Sequence, residues 1–387
     1  MKITFIAETK YFDRDSCSGT AYWIPICLKR AGITVNTIHV SIPDKLLPPW
    51  EEFGLRCKQF FSRWSKKGYF EPEMQVRRAE YIAEKLKGPL STLDSDIILT
   101  ALSPQSSAFL QAKQPIVYWT DWIYSACTGF YPSLRSDHID TRWDGHILTN
   151  ACLMNASTLI FSSQWAARSA IELHGISPHK IHVVPFGPNL EIDHDEEVVK
   201  SWIKKREGKT IKLLFIGQAW YRKGGDIVLA VAKRLHELGQ AVEVTLVGSK
   251  PMDEALPDYA KAFDFISKNS PENNEKIKNL YRESHFLFVP SRAEAFGIVF
   301  CEASAFGLPS LTTFVGGISD VVKNGVNGLT FSLEATIDEI SNTIITTFNN
   351  TSLYQTLCLS SFNEYKTRLN WDVSGQRVKE ILTIYLG

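Results

Sequence analysis

Glu294 and Glu302, eight positions apart, stand on either side of a break between an apolar strand and an apolar helix. Phe286–Val289 is short, apolar and β-prone, as a buried strand is, and Pro290 and Ser291 stop it. Ile298–Phe306 then has helical spacing that puts Val299, Ala303 and Phe306 on one face, and Gly307 with Pro309 ends it. Leu308–Thr313 is the next strand. Glu294 therefore falls in the loop before the helix and Glu302 about one turn inside it. The first amides of a helix have no partner within it, so a helix start beside Gly297 attracts anions. Glu302 sits among Phe300, Cys301, Ala303 and Ala305, so its charge requires a partner, and ribose hydroxyls suit it. Taken alone, two solvated acids explain the pair as well. A ligand carrying both phosphates and hydroxyls, as a nucleotide sugar does, explains their type and their position together.

A second group lies upstream, in Phe215-Ile216-Gly217-Gln218-Ala219-Trp220-Tyr221-Arg222-Lys223-Gly224-Gly225-Asp226. Gly217 ends a strand, and Arg222 and Lys223 precede a helix start. A pyrophosphate bridge carries about two charges and asks for cations as well as amides, each charge-assisted contact being worth roughly 1.5–3 kcal/mol. Two solvated turn residues are the alternative reading. The spacing is not that of a Walker loop. Ser18-Gly19-Thr20 at the first helix offers further amides; without G-x-G-x-x-G it disfavours a nicotinamide site. Asp94-Ser95-Asp96 and Asp193-His194-Asp195 match the D-x-D pattern of metal-dependent sugar transfer. The first precedes a strand, at the wrong end for a parallel-sheet site, and the second lies in the stretch read as the linker. Both read as surface acids, and no metal is expected. His285, just before a strand, reads as structural.

The elements that position these groups form two α/β domains in succession. Ile3–Ala7, a glycine loop, a helix through about Arg30 and the strand Ile33–Val40 open a doubly wound domain. Gln75–Lys87 is helical, Asp96–Thr100 and Pro115–Trp119 are strands, Ile147–Ala156 is helical, Thr158–Ser162 is a strand, Gln164–His174 a helix ended by Gly175, and Lys180–Pro185 a strand. The charged stretch Glu191–Lys209 reads as a linker. The pattern restarts with Leu213–Ile216, the helix Asp226–Leu238, Val242–Val247, a strand at Phe263–Ile266 and the helix Glu272–Tyr281. After the stretch around Glu294, a last strand Gly328–Phe331 and three helices complete the chain.

With 387 residues there is room for two domains of ordinary size, and 42 basic against 42 acidic side chains imply no polyanion-binding surface, hence no nucleic acid. Seven cysteines without a C-x-x-C pair read as buried reduced thiols of a cytoplasmic protein. The N-terminus reads as a strand rather than a leader, and no apolar run reaches the roughly 20 residues of a membrane span. Residues 56–67 mix bases with aromatics, which fits an inserted helix with solvated lysines or a peripheral contact with an anionic membrane face. The aromatic run Trp119–Tyr131 fits a stacked glycan or core packing.

Strand–Pro-Ser-x-x-Glu-x-Phe-Gly-x-x-x-x-Glu-Ala–helix–Gly-x-Pro, with Gly316-Gly317 and Asn324-Gly325-Val326-Asn327-Gly328 after it, resembles the retaining glycosyltransferases of family 4. Ile216-Gly217 with Arg222-Lys223-Gly224-Gly225-Asp226, Phe161-Ser162-Ser163-Gln164-Trp165, Pro185-Phe186-Gly187-Pro188-Asn189 and Ser18-Gly19-Thr20 fit the same family. The resemblance is strong over 211–330 and looser over 41–150. It implies an α/β protein of GT-B fold, two Rossmann-like doubly wound domains facing a central cleft: residues 1–190, joined by a crossing helix at about 370–387 that starts near Trp371, and residues 191–369. It implies a retaining, metal-independent transferase moving a sugar from a nucleotide sugar, UDP-sugar first, to a glycan, lipid-linked saccharide or small molecule, with no further cofactor. Glu302 would hold the ribose hydroxyls and Glu294 would lie by the donor sugar. The amides of Phe296, Gly297 and Ile298 would touch sugar and diphosphate, Lys223 would neutralise the leaving group, and Gly217 and Gly19 would line the same donor site.

Three positions depart from the family pattern. Gln218 stands where an arginine is common, and Arg222 is expected to supply that charge. Asp320 replaces a glutamate after Gly316-Gly317. In place of a histidine on the acceptor side stands Trp119-Thr120-Asp121-Trp122, and Asp121 is the nearest polar candidate for orienting the acceptor hydroxyl, a strand-end cap being its other reading. A UDP-sugar epimerase of the same fold and a nucleotide-sugar-binding protein without activity are the alternatives.

Overall fold

Parallel strands alternate with helices along the chain and assort into two six-stranded sheets. The computed structural model describes residues 1–8, 12–41, 50, 53–54, 56–57, 60, 76–135, 139–252 and 255–387. Two compact units emerge, Met1–Val184 with Gly375–Gly387, and Pro185–Ser374.

The first unit holds β1 (Lys2–Glu8), β2 (Thr34–Val40), β3 (Ile97–Ala101), β4 (Ile116–Thr120), β5 (Thr158–Phe161) and β6 (Ile181–Val183) in the order β2-β1-β3-β4-β5-β6. Every pair is parallel. β3, β4 and β5 are buried along their whole length, as a parallel sheet covered on both faces requires. The helices α1 (Thr20–Arg30), α2 (Val76–Ser91), α3 (Ile139–Asn155) and α4 (Gln164–His174) belong to this unit. Ser163 caps α4 by accepting from the Ala166 amide, and Gly175 ends it in the left-handed conformation. Within the aromatic run, Trp119 and Tyr124 are fully buried, so core packing accounts for those two rings. Of residues 56–67 only 56, 57 and 60 are among the described residues, so the reading of that stretch lies outside them. Among the described residues no helix is long and apolar enough to cross a membrane.

The second unit holds β7 (Ile211–Ile216), β8 (Val242–Val247), β9 (Ala260–Phe263), β10 (Phe286–Val289), β11 (Ser310–Thr313) and β12 (Gly328–Phe331) in the order β12-β11-β10-β7-β8-β9, again all parallel. The strand expected at Phe263–Ile266 is Ala260–Phe263, so its C-terminal end comes three residues sooner. The helices longer than one turn are α5 (Glu196–Lys205), α6 (Gly225–Glu237), α7 (Pro271–Glu283), α8 (Ile298–Ala305), α9 (Ile337–Asn349) and α10 (Thr351–Thr367). A last helix, α11 (Trp371–Leu386), starts in this unit, where the Trp371 indole donates to the Pro188 carbonyl at 2.9 Å, and from Gly375 onward it belongs to the first.

Two expectations need correction. The stretch read as a linker, Glu191–Lys209, is mostly α5: Asp195 caps it, Glu196 and Glu197 face its positive end, Lys204 and Lys205 its negative end, and Val199 and Ile203 are buried. Its charges mark helix ends and a solvated face. Second, α8 is not one-sided. Apart from Val299 all its residues are buried, because it packs beneath α10 and beside β11. Directly after α5, Arg206 is only 5% exposed. Its guanidinium donates to the Arg282 carbonyl at 3.0 Å and the Tyr281 carbonyl at 3.2 Å, at the end of α7, and to the Phe306 and Gly307 carbonyls at 2.8 and 2.7 Å, beyond α8. One buried cation thus satisfies the bare C-terminal ends of two helices.

Candidate active site

β7 and β10 are neighbours, yet the chain leaves them in opposite directions across the sheet, to β8 and to β11. Ligands of open α/β sheets bind beyond the strand ends at such a switch point. Lys223 comes from the single turn Trp220–Lys223 after β7, and Glu294 from the loop after β10. Lys223 Nζ donates to Glu294 Oε2. Arg222 Nη1 lies 3.6 Å from the same oxygen and donates to the Ala293 carbonyl at 2.8 Å. Burial pulls the Lys223 ammonium below the usual lysine range, Glu294 pushes it back up, and Arg222 pulls it down again.

Turn and loop are tied at several further points. The Arg292 amide donates to the Arg222 carbonyl at 2.7 Å. The Arg292 guanidinium makes a two-pronged pair with Asp226, both contacts at 2.7 Å, and lies 3.9 Å from the centre of the Tyr221 ring. Gly224 joins turn to helix at φ 78°, and a Cβ there would stand 2.2 Å from the Pro290 carbonyl oxygen, so only glycine lets the two strand ends approach this closely. Gly297 precedes α8 at φ 91°, where a Cβ would strike the Phe300 ring at 2.6 Å. Ile298 is the first residue of α8, Phe296 packs against Phe186 at 5.4 Å, and the Gly317 amide holds the Glu294 carbonyl at 3.1 Å.

Glu302 is 1% exposed. Its buried charge has partners inside the protein: Lys268 Nζ donates to Oε1, and the Tyr281 hydroxyl to Oε2 at 2.8 Å. Burial, and after it the Glu302 charge, pushes the Tyr281 hydroxyl well up, so it stays a donor. Sequence reasoning foresaw that Glu302 needed a partner but found neither of these, which lie far off in the chain and carry no local signal. The Arg292–Asp226 pair was missed for the same reason.

Gly217 follows β7 directly, its amide on the Val247 carbonyl at 3.0 Å and its carbonyl accepting from Ser249 Oγ at 2.6 Å. Arg222, Lys223, Gly217, Glu294, Phe296, Gly297, Ile298 and Glu302 thus all belong to the second unit, and Gly19 and Asp121 to the first. There Gly19 precedes α1 as its cap, and Asp121 follows β4. The D-x-D acids serve local structure: Asp94 and Asp96 hold the Lys2 side chain and amide at 2.9 and 2.7 Å, and Asp195 caps α5. Among the described residues no three His, Cys, Asp or Glu side chains are grouped to hold a metal ion. His285 is structural: its Nδ1 accepts from the Lys212 amide at 3.0 Å and its Nε2 donates to the Arg206 carbonyl at 2.6 Å.

Residues 199–358 match the family model described as glycosyl transferases group 1. The chain is 30% identical over 196 residues to D-inositol 3-phosphate glycosyltransferase 1 of Catenulispora acidiphila, covering 46% of each chain. It therefore spans about half the length of the curated relatives it matches. Among solved structures, sucrose-phosphate synthase from Thermosynechococcus elongatus aligns over 100% of this chain and 99% of its own, with TM-score 0.70 and 16% identity. Anabaena Alr3699/HepE, solved with UDP and glucose, aligns over 99% and 100%, with TM-score 0.64 and 17% identity. Two parallel six-stranded sheets with flanking helices are the GT-B fold of those proteins.

Proposed function

We propose that the chain is a retaining, metal-independent glycosyltransferase that takes a sugar from a nucleotide sugar, UDP-sugar first, and passes it to a hydroxyl of a glycan, lipid-linked saccharide or small molecule in the cytoplasm. The observation that carries this reading is the Lys223–Glu294 pair at the switch point of the second sheet, with Arg222 beside it and the start of α8 adjoining. The Anabaena neighbour holds UDP and glucose, which puts UDP ahead of other nucleotides.

In this reading the diphosphate of the donor lies against Lys223, Arg222 and the first amides of α8, and draws Lys223 off Glu294. Glu294 is then released to a sugar hydroxyl, and Glu302 takes the ribose. The bond from the anomeric carbon to the diphosphate oxygen breaks, and the acceptor oxygen bonds to that carbon on the same face. The departing phosphate oxygen takes the acceptor proton, so no protein base is required. Catalysis rests on positioning and on charge held ready for the leaving group. Lys223 and Arg222 supply that charge where other transferases use a metal ion. Asp121 is assigned to the acceptor hydroxyl.

Incubation with a UDP-sugar panel and acceptors, followed by NMR of the product anomer, tests the reading. Product with the donor's anomeric configuration, formed undiminished in chelator, is expected. Inverted product, loss of activity in chelator, or an epimerised donor formed without acceptor would overturn it.

A further inference from the structure

Lys268 stands in the loop between β9 and α7, and its place is built: Asn274 Nδ2 holds its carbonyl at 2.9 Å, and Ser270 just beyond caps α7. From there its ammonium reaches across to Glu302 on α8, and from α7 the Tyr281 hydroxyl reaches the other oxygen. Two separate elements thus converge on a carboxylate carried by a third. A carboxylate has about four lone-pair sites, and these bonds use one on each oxygen. Resting on the donor reading above, we propose that Lys268 is a positioning residue for donor recognition: with Tyr281 it holds the buried Glu302 carboxylate fixed in orientation for the hydroxyls of a ribose.

The physical reason is the dryness of the place. A buried charge without a partner is expelled or neutralised. Among the described residues the Lys268 ammonium and the Tyr281 hydroxyl bond to Glu302, and burial pushes the thiol of adjoining Cys301 far up. Only Lys268 among these is a cation. Remove it, and the carboxylate keeps the Tyr281 hydroxyl but loses the cation that offsets its buried charge and holds its other oxygen in place.

Calorimetric titration of wild type, Lys268→Met, Lys268→Gln and Lys268→Arg with UDP and with 2′-deoxy-UDP separates this from a merely structural role. Lys268→Met should bind UDP about tenfold or more weakly, the size of one charge-assisted contact. It should lose clearly less on 2′-deoxy-UDP. Lys268→Arg should stay within about threefold of wild type. Equal losses on both nucleotides, or no loss, would overturn the proposal. If Lys268→Met does not melt cooperatively, the comparison of Lys268→Gln with Lys268→Arg decides. Gln keeps a donor without the charge and should show the same bias between the nucleotides; equal behaviour of the two variants contradicts the proposal. If wild type ignores UDP, GDP and ADP with their deoxy forms take its place. If none of them binds, the donor reading itself fails and this inference with it.

Discussion

Lys223 and Glu294 are 71 positions apart in the chain and hydrogen-bonded across the switch point of the second sheet, one from the end of β7, the other from the end of β10. The pair holds a cation and an anion where a phosphorylated sugar would need both, and each is mostly buried. Lys223→Ala and Glu294→Gln are expected to lower donor turnover by about 10²–10³-fold, the usual cost of removing one group that stabilises charge in the transition state. Arg222→Ala should cost less than Lys223→Ala but remain measurable in steady-state rates. Unchanged turnover in Arg222→Ala would show that Arg222 does not replace the arginine absent at Gln218.

Arg206 ties the ends of α7 and α8 together through four carbonyls. Arg206→Met keeps the bulk and loses every donor. The second unit should lose about 3 kcal/mol or more, because buried carbonyls are left bare. A shift of the urea midpoint measures it; a shift equivalent to less than about 1 kcal/mol would mean the carbonyls find other donors.

His285 gives the second unit an acid limit. Burial, the largest cause, pulls its pKa from the ordinary 6.5 to about 4. The unfolded chain therefore takes up a proton at a higher pH than the folded one. The contribution to stability is full above about pH 6.5, shrinks as pH falls, and is lost by about pH 4, some 3 kcal/mol in all. Denaturation followed over that window, with His285→Gln as the reference, should show a steeper loss in wild type.

Gly224→Ala should destabilise the turn that carries Lys223. The left-handed backbone alone costs an L side chain about 1–2 kcal/mol, and the new Cβ would meet a carbonyl oxygen. Thermal melting together with the Michaelis constant for donor reads the effect: a lower midpoint and a weakened donor constant are expected together.

Part of this second unit is legible in sequence because β10 is buried along its whole length and β7 nearly so, and they appear as apolar runs closed by proline and glycine. β10, α8 and β12 fall where the spacing puts them. What escapes is whatever depends on tertiary contact. Arg206 sits in a run of charges that looks uniformly solvated, and only the meeting of two helix ends in space buries it. Lys268 and Tyr281 reach Glu302 from 34 and 21 positions away, and nothing local separates them from other loop and helix residues. The one-sided reading of α8 failed because a helix enclosed on nearly every side leaves no polar face to set a period.

The most direct test of the donor site is a thermal-shift screen of UDP-, GDP- and ADP-sugars against wild type and Lys223→Ala. A ligand bound only by the native state raises the melting midpoint, by an amount that grows with its concentration over its dissociation constant. The expected result is a rise with UDP-sugars in wild type that is lost or strongly reduced in Lys223→Ala. No rise with any of the three classes, or a rise that Lys223→Ala keeps in full, would contradict a nucleotide-sugar site built on Lys223 and Glu294.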